Sequence, residues 1–154
     1  MKNLVGNETF PHEEHIQVLI RLSGLPVGVA VREKKIFVQK NITHINVYQD
    51  EADSPGNAVT AWCGLRAAYV LGERGKRAED VATETLEMLM KEKGDVDMHL
   101  ADQLLIYAVL AEGKTNYSTS EISEHLRTNA RIIGKFLQER KIEIDEKEQK
   151  ITIQ

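Results

Sequence analysis

The sequence predicts a mixed α/β fold of the α+β type, and three observations carry that expectation. Short segments with apolar residues at every second position alternate with longer ones whose apolar residues recur every three to four positions. Turn-forming runs separate them at Gly24-Leu25-Pro26, at Asp50 to Asn57 and at Gly72 to Arg77. The 154 residues, 42% apolar and 29% charged, supply a core for one domain or for two small lobes.

Residues 1–14 are polar, contain Pro11 and begin loosely. From His15 to Leu22, Ile16, Val18, Ile20 and Leu22 fall on one side, the mark of a strand with one buried face. Gly24-Leu25-Pro26 ends it, and Pro26 opens a helix over Val27 to Lys40 whose inner face carries Val27, Ala30, Val31, the Lys34 stem and Phe37. Ile42 to Tyr48 is a second strand, with Ile45 and Val47 facing one way. Val59 to Cys63 and Ala67 to Leu71 form two further strands around a turn at Gly64. Ala78 to Lys93 reads as an amphipathic helix with Val81, Thr85, Met88, Leu89 and Glu92 along one side. Asp95 or Asp97 caps the next helix, whose interior from Leu104 to Ala111 is apolar enough to be buried all round. Glu112-Gly113-Lys114 ends it. A short strand at Tyr117 to Ser120 follows. Ser123 then caps a helix striped by Leu126, Ile133 and Leu137, flanked by Ile132 and Phe136. Lys141 to Ile144 and Ile151 to Ile153 close a hairpin around Glu146-Lys147-Glu148. The order is β-α-β-β-β-α-α-β-α-β-β.

The formal net charge is -4 and no long basic run exists, so nucleic acid would have to be held by a local patch. Cys63 is the single cysteine, which leaves neither a disulfide framework nor a cysteine metal site and suits a reducing, cytoplasmic setting. Met1 to Glu8 lacks the apolar region of a signal peptide. No apolar run approaches the ~20 residues that cross a bilayer, so no membrane partner is expected.

Between Gly94 and Leu137, two helix starts concentrate polar side chains that packing does not demand. With Ser123 as cap, His125 lies in the first helical turn, where unpaired backbone N–H groups attract phosphate and help keep an imidazole neutral and nucleophilic. Glu124 pulls the other way, and a surface histidine in a helix cap explains the same residues. His99, Asp102 and Gln103 open the apolar helix; Asp102 and Gln103 point outward there while Leu100 and Leu104 anchor it, an arrangement suited to a base or ribose as well as to plain capping. The run Gly72-Glu73-Arg74-Gly75-Lys76-Arg77 suits a phosphate-contacting loop or a solvated turn, and is not the G-x-x-x-x-G-K-[ST] pattern. His12, His15 and His44 lack metal-ligand spacing, and Trp62 with Cys63 reads as core.

Taken in order, several motifs are more specific together than apart. Ser54-Pro55-Gly56 precedes Thr60-Ala61-Trp62, and Leu71-Gly72-Glu73-Arg74-Gly75 precedes Ala78-Glu79-Asp80-Val81. Then come Val96-Asp97 with His99-Leu100-Ala101-Asp102-Gln103-Leu104, and His125-Leu126-Arg127-Thr128-Asn129 with Phe136-Leu137. This series resembles the C-terminal part of RNA 3'-terminal phosphate cyclases, most clearly from Ser54 to Leu137 and more weakly over Leu25-Pro26 and Val29 to Arg32.

The resemblance implies a division into part of a small inserted α/β lobe (1–65) and the last βαβαββ-like repeat of a larger domain (66–154). It implies ATP and Mg²⁺, with His125 as the nucleophile that takes AMP from ATP and His99, Leu100, Ala101, Asp102 and Gln103 as the nucleotide-binding segment. AMP would pass to an RNA 3'-phosphate end, and the neighbouring 2'-hydroxyl would close a 2',3'-cyclic phosphate. Such enzymes are roughly twice this length, and their glycine-rich N-terminal repeats have no counterpart here. The resemblance therefore also allows a truncated or split homologue that binds nucleotide or RNA without activity of its own. Either way, a homo-oligomer or a separately encoded N-terminal half is the expected partner.

Overall fold

The computed structural model describes residues 15–154, so the expectations at Pro11 and His12 lie outside the described residues. The chain forms two compact units that meet in sequence between Lys91 and Glu92. The element order matches the one expected. Residues 65 and 66, where the resemblance sets its boundary, are the last residue of a turn and the first of a strand.

In the first unit a four-stranded sheet has the order β2-β1-β3-β4: β1 (Gln17–Ser23), β2 (His44–Asp50), β3 (Gly56–Cys63) and β4 (Arg66–Leu71). β1 and β2 are parallel, which forces a crossover, and α1 (Gly28–Gln39) supplies it. β3 and β4 are antiparallel and need only a tight turn, where Gly64 takes φ 60°, the left-handed region open to glycine. α1 and α2 (Ala78–Lys91) share the core with the sheet. Val18, Ile20 and Leu22 of β1 and Val59, Ala61 and Cys63 of β3 face it, with Ala30 and Phe37 from α1 and Val81, Ala82 and Leu89 from α2.

Three expectations need correction in this unit. Val27 and Val31 are exposed, and Glu33 is buried with Ala30 and Phe37 in their place. Along α2 the inner stripe is Ala78, Val81, Ala82, Thr85 and Leu89, with Met88 outside. Trp62 is half-buried, because the strand period sends Ala61 and Cys63 to the core and Trp62 to the other side of the sheet.

Glu33 is fully buried. Its Oε1 accepts a hydrogen bond from Asn57 Nδ2, while its Oε2 and Asn57 Oδ1 are buried without a partner. Two orphaned acceptors on one facing acid–amide pair are relieved together if the acid keeps its proton, since the hydroxyl then donates to the amide oxygen. Burial accordingly pushes the carboxyl above its ordinary 4.5, against the lowering effects of Asn57 and Arg32. Arg32 is itself committed to Glu79, with Nε to Oε1 at 2.8 Å, and holds that exposed carboxyl down to about 2.

The second unit is a three-stranded antiparallel sheet of order β5-β7-β6, from β5 (Thr115–Ser118), β6 (Ile142–Asp145) and β7 (Lys150–Ile153), with α3 (Met98–Leu110) and α4 (Glu124–Phe136). Its core joins Tyr117, Ile151 and Ile153 of the sheet to Ala101, Leu105, Ala108 and Val109 of α3 and to Leu126 of α4. Tyr117 is fully buried and its hydroxyl donates to the Ala101 carbonyl at 2.9 Å; burial pushes that phenol up. Asp95 holds the end of β5, its Oδ2 accepting from Ser118 N at 2.9 Å and Ser118 Oγ at 2.8 Å. Just before it, Gly94 lies so close to β5's exit that a Cβ would stand 2.3 Å from Thr119 Cα.

α3 is not buried all round. Tyr107 is 70% exposed, Leu110 65% and Ile106 38%, because sheet and α4 cover only one side of the helix.

Two predictions follow from this packing. Gly94→Ala forces backbone against backbone at Thr119 and is expected to cost about 1–3 kcal/mol. Gly134→Ala, in the interior of α4 with nothing within 4 Å of the new Cβ, is expected to stabilise by up to about 1 kcal/mol. Denaturant midpoints of the two variants should therefore move in opposite directions. For Glu33, a folded-state pKa raised above 4.5 means stability that is complete below that value and declines as pH rises through the folded pKa. Melting temperatures from about pH 4 to about pH 8 should show this decline. Glu33→Gln keeps the amide–amide geometry, should flatten the profile and should be the more stable protein at the alkaline end.

Candidate functional site

Both sequence-selected helix starts lie in the second unit, and each is capped as its residues dictate. Asp97, in extended conformation, caps α3: its Oδ1 accepts from His99 N and Leu100 N, both at 2.9 Å. Ser123 Oγ caps α4 by accepting from Leu126 N at 3.1 Å. Of the two acids considered for the α3 cap, Asp95 is occupied by Ser118 instead.

Two cross-links fix how the helices lie against each other. Asn129 Nδ2 donates to Asp102 Oδ1 at 2.5 Å, which joins the second turn of α3 to the second turn of α4. At the other end, Arg140 Nη2 donates to the Ala111 and Gly113 carbonyls, both at 2.9 Å, so the segment just past α4 meets the segment just past α3. Start meets start and end meets end, so the helices run parallel. Their positive N-terminal dipole ends therefore stand side by side, near His99 on one helix and His125 on the other.

Within the selected stretch the residues divide by orientation. Ala101 is buried, and its carbonyl is the acceptor for Tyr117; Leu100 is half-buried against the core. These two anchor the helix start. His99 and Gln103 are exposed, and Asp102 is half-buried and bound to Asn129. His125 is exposed, in the first turn of α4 and one turn before Asn129.

Helical periodicity gives both outer faces the same layout. On α4, His125, Asn129, Ile132 and Phe136 recur at i, i+4, i+7 and i+11 and share one narrow stripe, set apart from the buried Leu126 and the half-buried Ala130, Ile133 and Leu137. On α3, His99, Gln103, Ile106 and Leu110 do the same, with Tyr107 beside them. Each stripe begins polar at the helix start and becomes apolar toward its end.

Charged groups brace the α4 start. Arg127 makes a paired contact with Glu146, Nε to Oε1 at 2.9 Å and Nη2 to Oε2 at 3.0 Å, and reaches Glu124 at 2.5 Å. Arg127 holds the Glu146 carboxyl below its ordinary range. Sequence reasoning assigned no role to Asn129, Arg127 or Arg140. Asn129 was legible as the residue one turn beyond His125, and Arg140 as a cation just past a helix end. The Glu146 partner depends on the hairpin and was not.

The other candidates are dispersed. The Gly72–Arg77 run belongs to the first unit and is a turn with Gly75 at φ 89°; Lys76 bridges Glu84 at 2.5 Å and Arg77 approaches Glu79 at 3.7 Å. His15 and His44 are exposed in that unit as well. Among the described residues, no group of three or more histidine, cysteine or carboxylate side chains gathers as a metal site. No described helix is long and apolar enough to cross a membrane.

Comparison with known proteins agrees in one direction. The family described as RNA 3'-terminal phosphate cyclase matches residues 13–144. The chain is similar to the RNA 3'-terminal phosphate cyclase of Archaeoglobus fulgidus, at 44% identity over 87 residues, 54% of this chain and 26% of the relative. It is 36% identical to that of Methanococcoides burtonii over 130 residues, covering 79% of this chain and 39% of the relative. For Pyrobaculum aerophilum the figures are 35% over 148 residues, 86% of this chain and 42% of the relative. The chain thus spans less than half the length of these relatives.

The Asp102–Asn129 contact can be measured by itself. In a double-mutant cycle with Asp102→Ala and Asn129→Ala, followed by denaturant unfolding, a coupling of about 1 kcal/mol is expected for a half-buried bond to a carboxylate. His125→Ala, on an exposed side chain, should change stability by less than about 0.5 kcal/mol.

Proposed function

The chain belongs to the RNA 3'-terminal phosphate cyclase family, and on that premise we propose that it carries the histidine nucleophile and part of the nucleotide site of an ATP-dependent cyclase. In this reading a ring nitrogen of His125 attacks the α-phosphate of ATP. A P–N bond forms, the P–O bond to the leaving pyrophosphate breaks, and the imidazole carries AMP. AMP then passes to the 3'-phosphate of an RNA end. The 2'-hydroxyl attacks that activated phosphate, releases AMP and leaves a 2',3'-cyclic phosphate.

The observation that supports this most is the exposed His125 in the first turn of α4, beside a parallel helix whose start carries exposed His99 and Gln103. Two adjacent helix starts favour an anion there without any lysine. Leu100 and Ala101 hold the start of α3 on the core, leaving His99 and Gln103 to meet the nucleotide. Asp102 and Asn129 act on each other and fix the spacing between the two starts. Magnesium, when bound, would screen the triphosphate charge; no residue of this chain is assigned to hold it.

The length of the relatives favours a second form of the same reading, in which the chain is one part of a cyclase and the remaining groups that neutralise the triphosphate come from further family sequence. The chain alone would then bind nucleotide and turn over poorly, since oriented electrostatics supply much of the rate in such sites.

Incubation with ATP labelled at the α-phosphate tests the proposal. Acid-labile label on the wild-type protein, absent from His125→Ala and absent when the label is on the γ-phosphate, is the expected result. Label retained by His125→Ala would remove this residue from the chemistry. Nucleotide binding by calorimetry without labelling would select the partial-site form.

A further inference from the structure

The four-stranded sheet of the first unit packs its helices on one face only, the face that carries Val18, Val59 and Val70. By the strand period the alternate residues line the other face, and of these only Ser23, at the end of β1, is buried. The chain has five tyrosine and tryptophan side chains in all, and three of them stand here: Tyr48, Trp62 and Tyr69. Tyr48 is 55% exposed and Tyr69 54%, and Trp62 is half-buried. Register puts Trp62 on the diagonal from Tyr69, and Tyr48 beside Arg21 one row further along. Between the rings the sheet carries only the small Ala58, Thr60 and Ala67 on β3 and β4, so the aromatic faces are not walled in.

We propose that this open face is a platform for single-stranded RNA, on which unpaired bases stack against Tyr69, Trp62 and Tyr48. Aromatic rings on an open sheet accept any base by its flat side, whereas a duplex keeps those sides hidden. Three strand spacings and one row separate Tyr48 from Tyr69, about 15 Å, which four to five stacked nucleotides of roughly 3.4 Å rise would cross. Two observations choose this occupant over a second copy of the chain. Arg21 stands on this face of a central strand, bound to Asp50 through Nε and Nη2, both at 2.9 Å, with side chains 57% and 36% exposed. A protein partner laid over the face would strip water from that ion pair at a cost, while a stacked base leaves it wet and the guanidinium open to a phosphate oxygen. Charge is the second. Residues 15–91 hold ten lysines and arginines against nine acids, and residues 92–154 hold nine against twelve, so the excess that repels a polyanion lies outside the sheet's unit. The inference rests on the reading that the chain's substrate is an RNA end, and adds to it a contact with the body of the strand. It does not depend on whether His125 is adenylylated.

Trp62 is the chain's only tryptophan, so its fluorescence reports on the face directly. The full chain is titrated with a single-stranded RNA of eight nucleotides, and with the same strand in a duplex; a 3'-hydroxyl end keeps transfer chemistry out of the measurement. Three proteins are compared: the wild type, the double variant Tyr48→Ser with Tyr69→Ser, and a control with Val31→Ser on the exposed side of α1. Circular dichroism establishes that each is folded. The expected result is saturable quenching by the single strand and not by the duplex, weakened roughly tenfold or more in the double variant and unchanged in the control. Because Arg21 is the one cation on the platform, the slope of log K against log salt should be shallower than about -2, at roughly -0.7 per phosphate neutralised. Absence of quenching, quenching indifferent to the two tyrosines, or a steeper slope, which would place the strand on a cationic surface, overturns the proposal. So does a wild-type homodimer that the double variant dissociates, which would assign the face to a second copy. The α-phosphate labelling is run without RNA: label without quenching removes the platform alone, and quenching without label removes the nucleophile and leaves the platform standing.

Discussion

Two neighbouring helices that point the same way cannot be joined by a short loop; the chain must return along their length between them. In the second unit that return is β5, and the geometry of the candidate site depends on it. β5 places Tyr117 in the core, where its hydroxyl satisfies the Ala101 carbonyl of α3. Asp95 and the Val96–Thr119 bridge fasten the strand's end to the segment that leads into α3. The strand is therefore what brings two capped helix starts level, and the Asp102–Asn129 bond records the result.

Much of this was legible beforehand, because it lies in local pattern. Strand alternation at Ile16, Val18, Ile20 and Leu22, the Ser123 cap and an aspartate cap at Asp95 or Asp97 are decided within a few residues, and the structure chooses Asp97. The order of elements followed from such signals. What failed was inference about which sides of a helix would be covered. Composition alone suggests that Leu104 to Ala111 is enclosed, yet the unit has neighbours for only one of its sides. Glu33 was not singled out, because nothing local marks an acid on a helix for burial until a distant partner, Asn57 on β3, is brought to it.

The site divides along the same line. His125, His99 and Gln103 could be selected because each is polar where the helix start does not need it, and family motifs coincide there. Their neighbours in sequence, Leu100 and Ala101, belong to the same motif but serve the core. A motif thus mixes side chains left exposed at a helix start with residues that hold the backbone still, and only packing separates them. Asn129 and Arg140 are of the second kind. They cross-link two helices whose adjacency no single stretch of sequence announces.

The clasp around Arg127 has a consequence for how firmly the imidazole's turn is held. Arg127 and its two partners, Glu124 and Glu146, all lie in contact with water, so their attraction weakens as dissolved ions accumulate around them. The Ser123 cap and the packing of Leu126 are indifferent to that screening. In dilute buffer the first turn of α4 is thus held from below by the core and from the side by the hairpin tip. In brine the cap and the core remain without the hairpin's brace, leaving the turn that bears His125 freer to rock while the helix behind it stays in place.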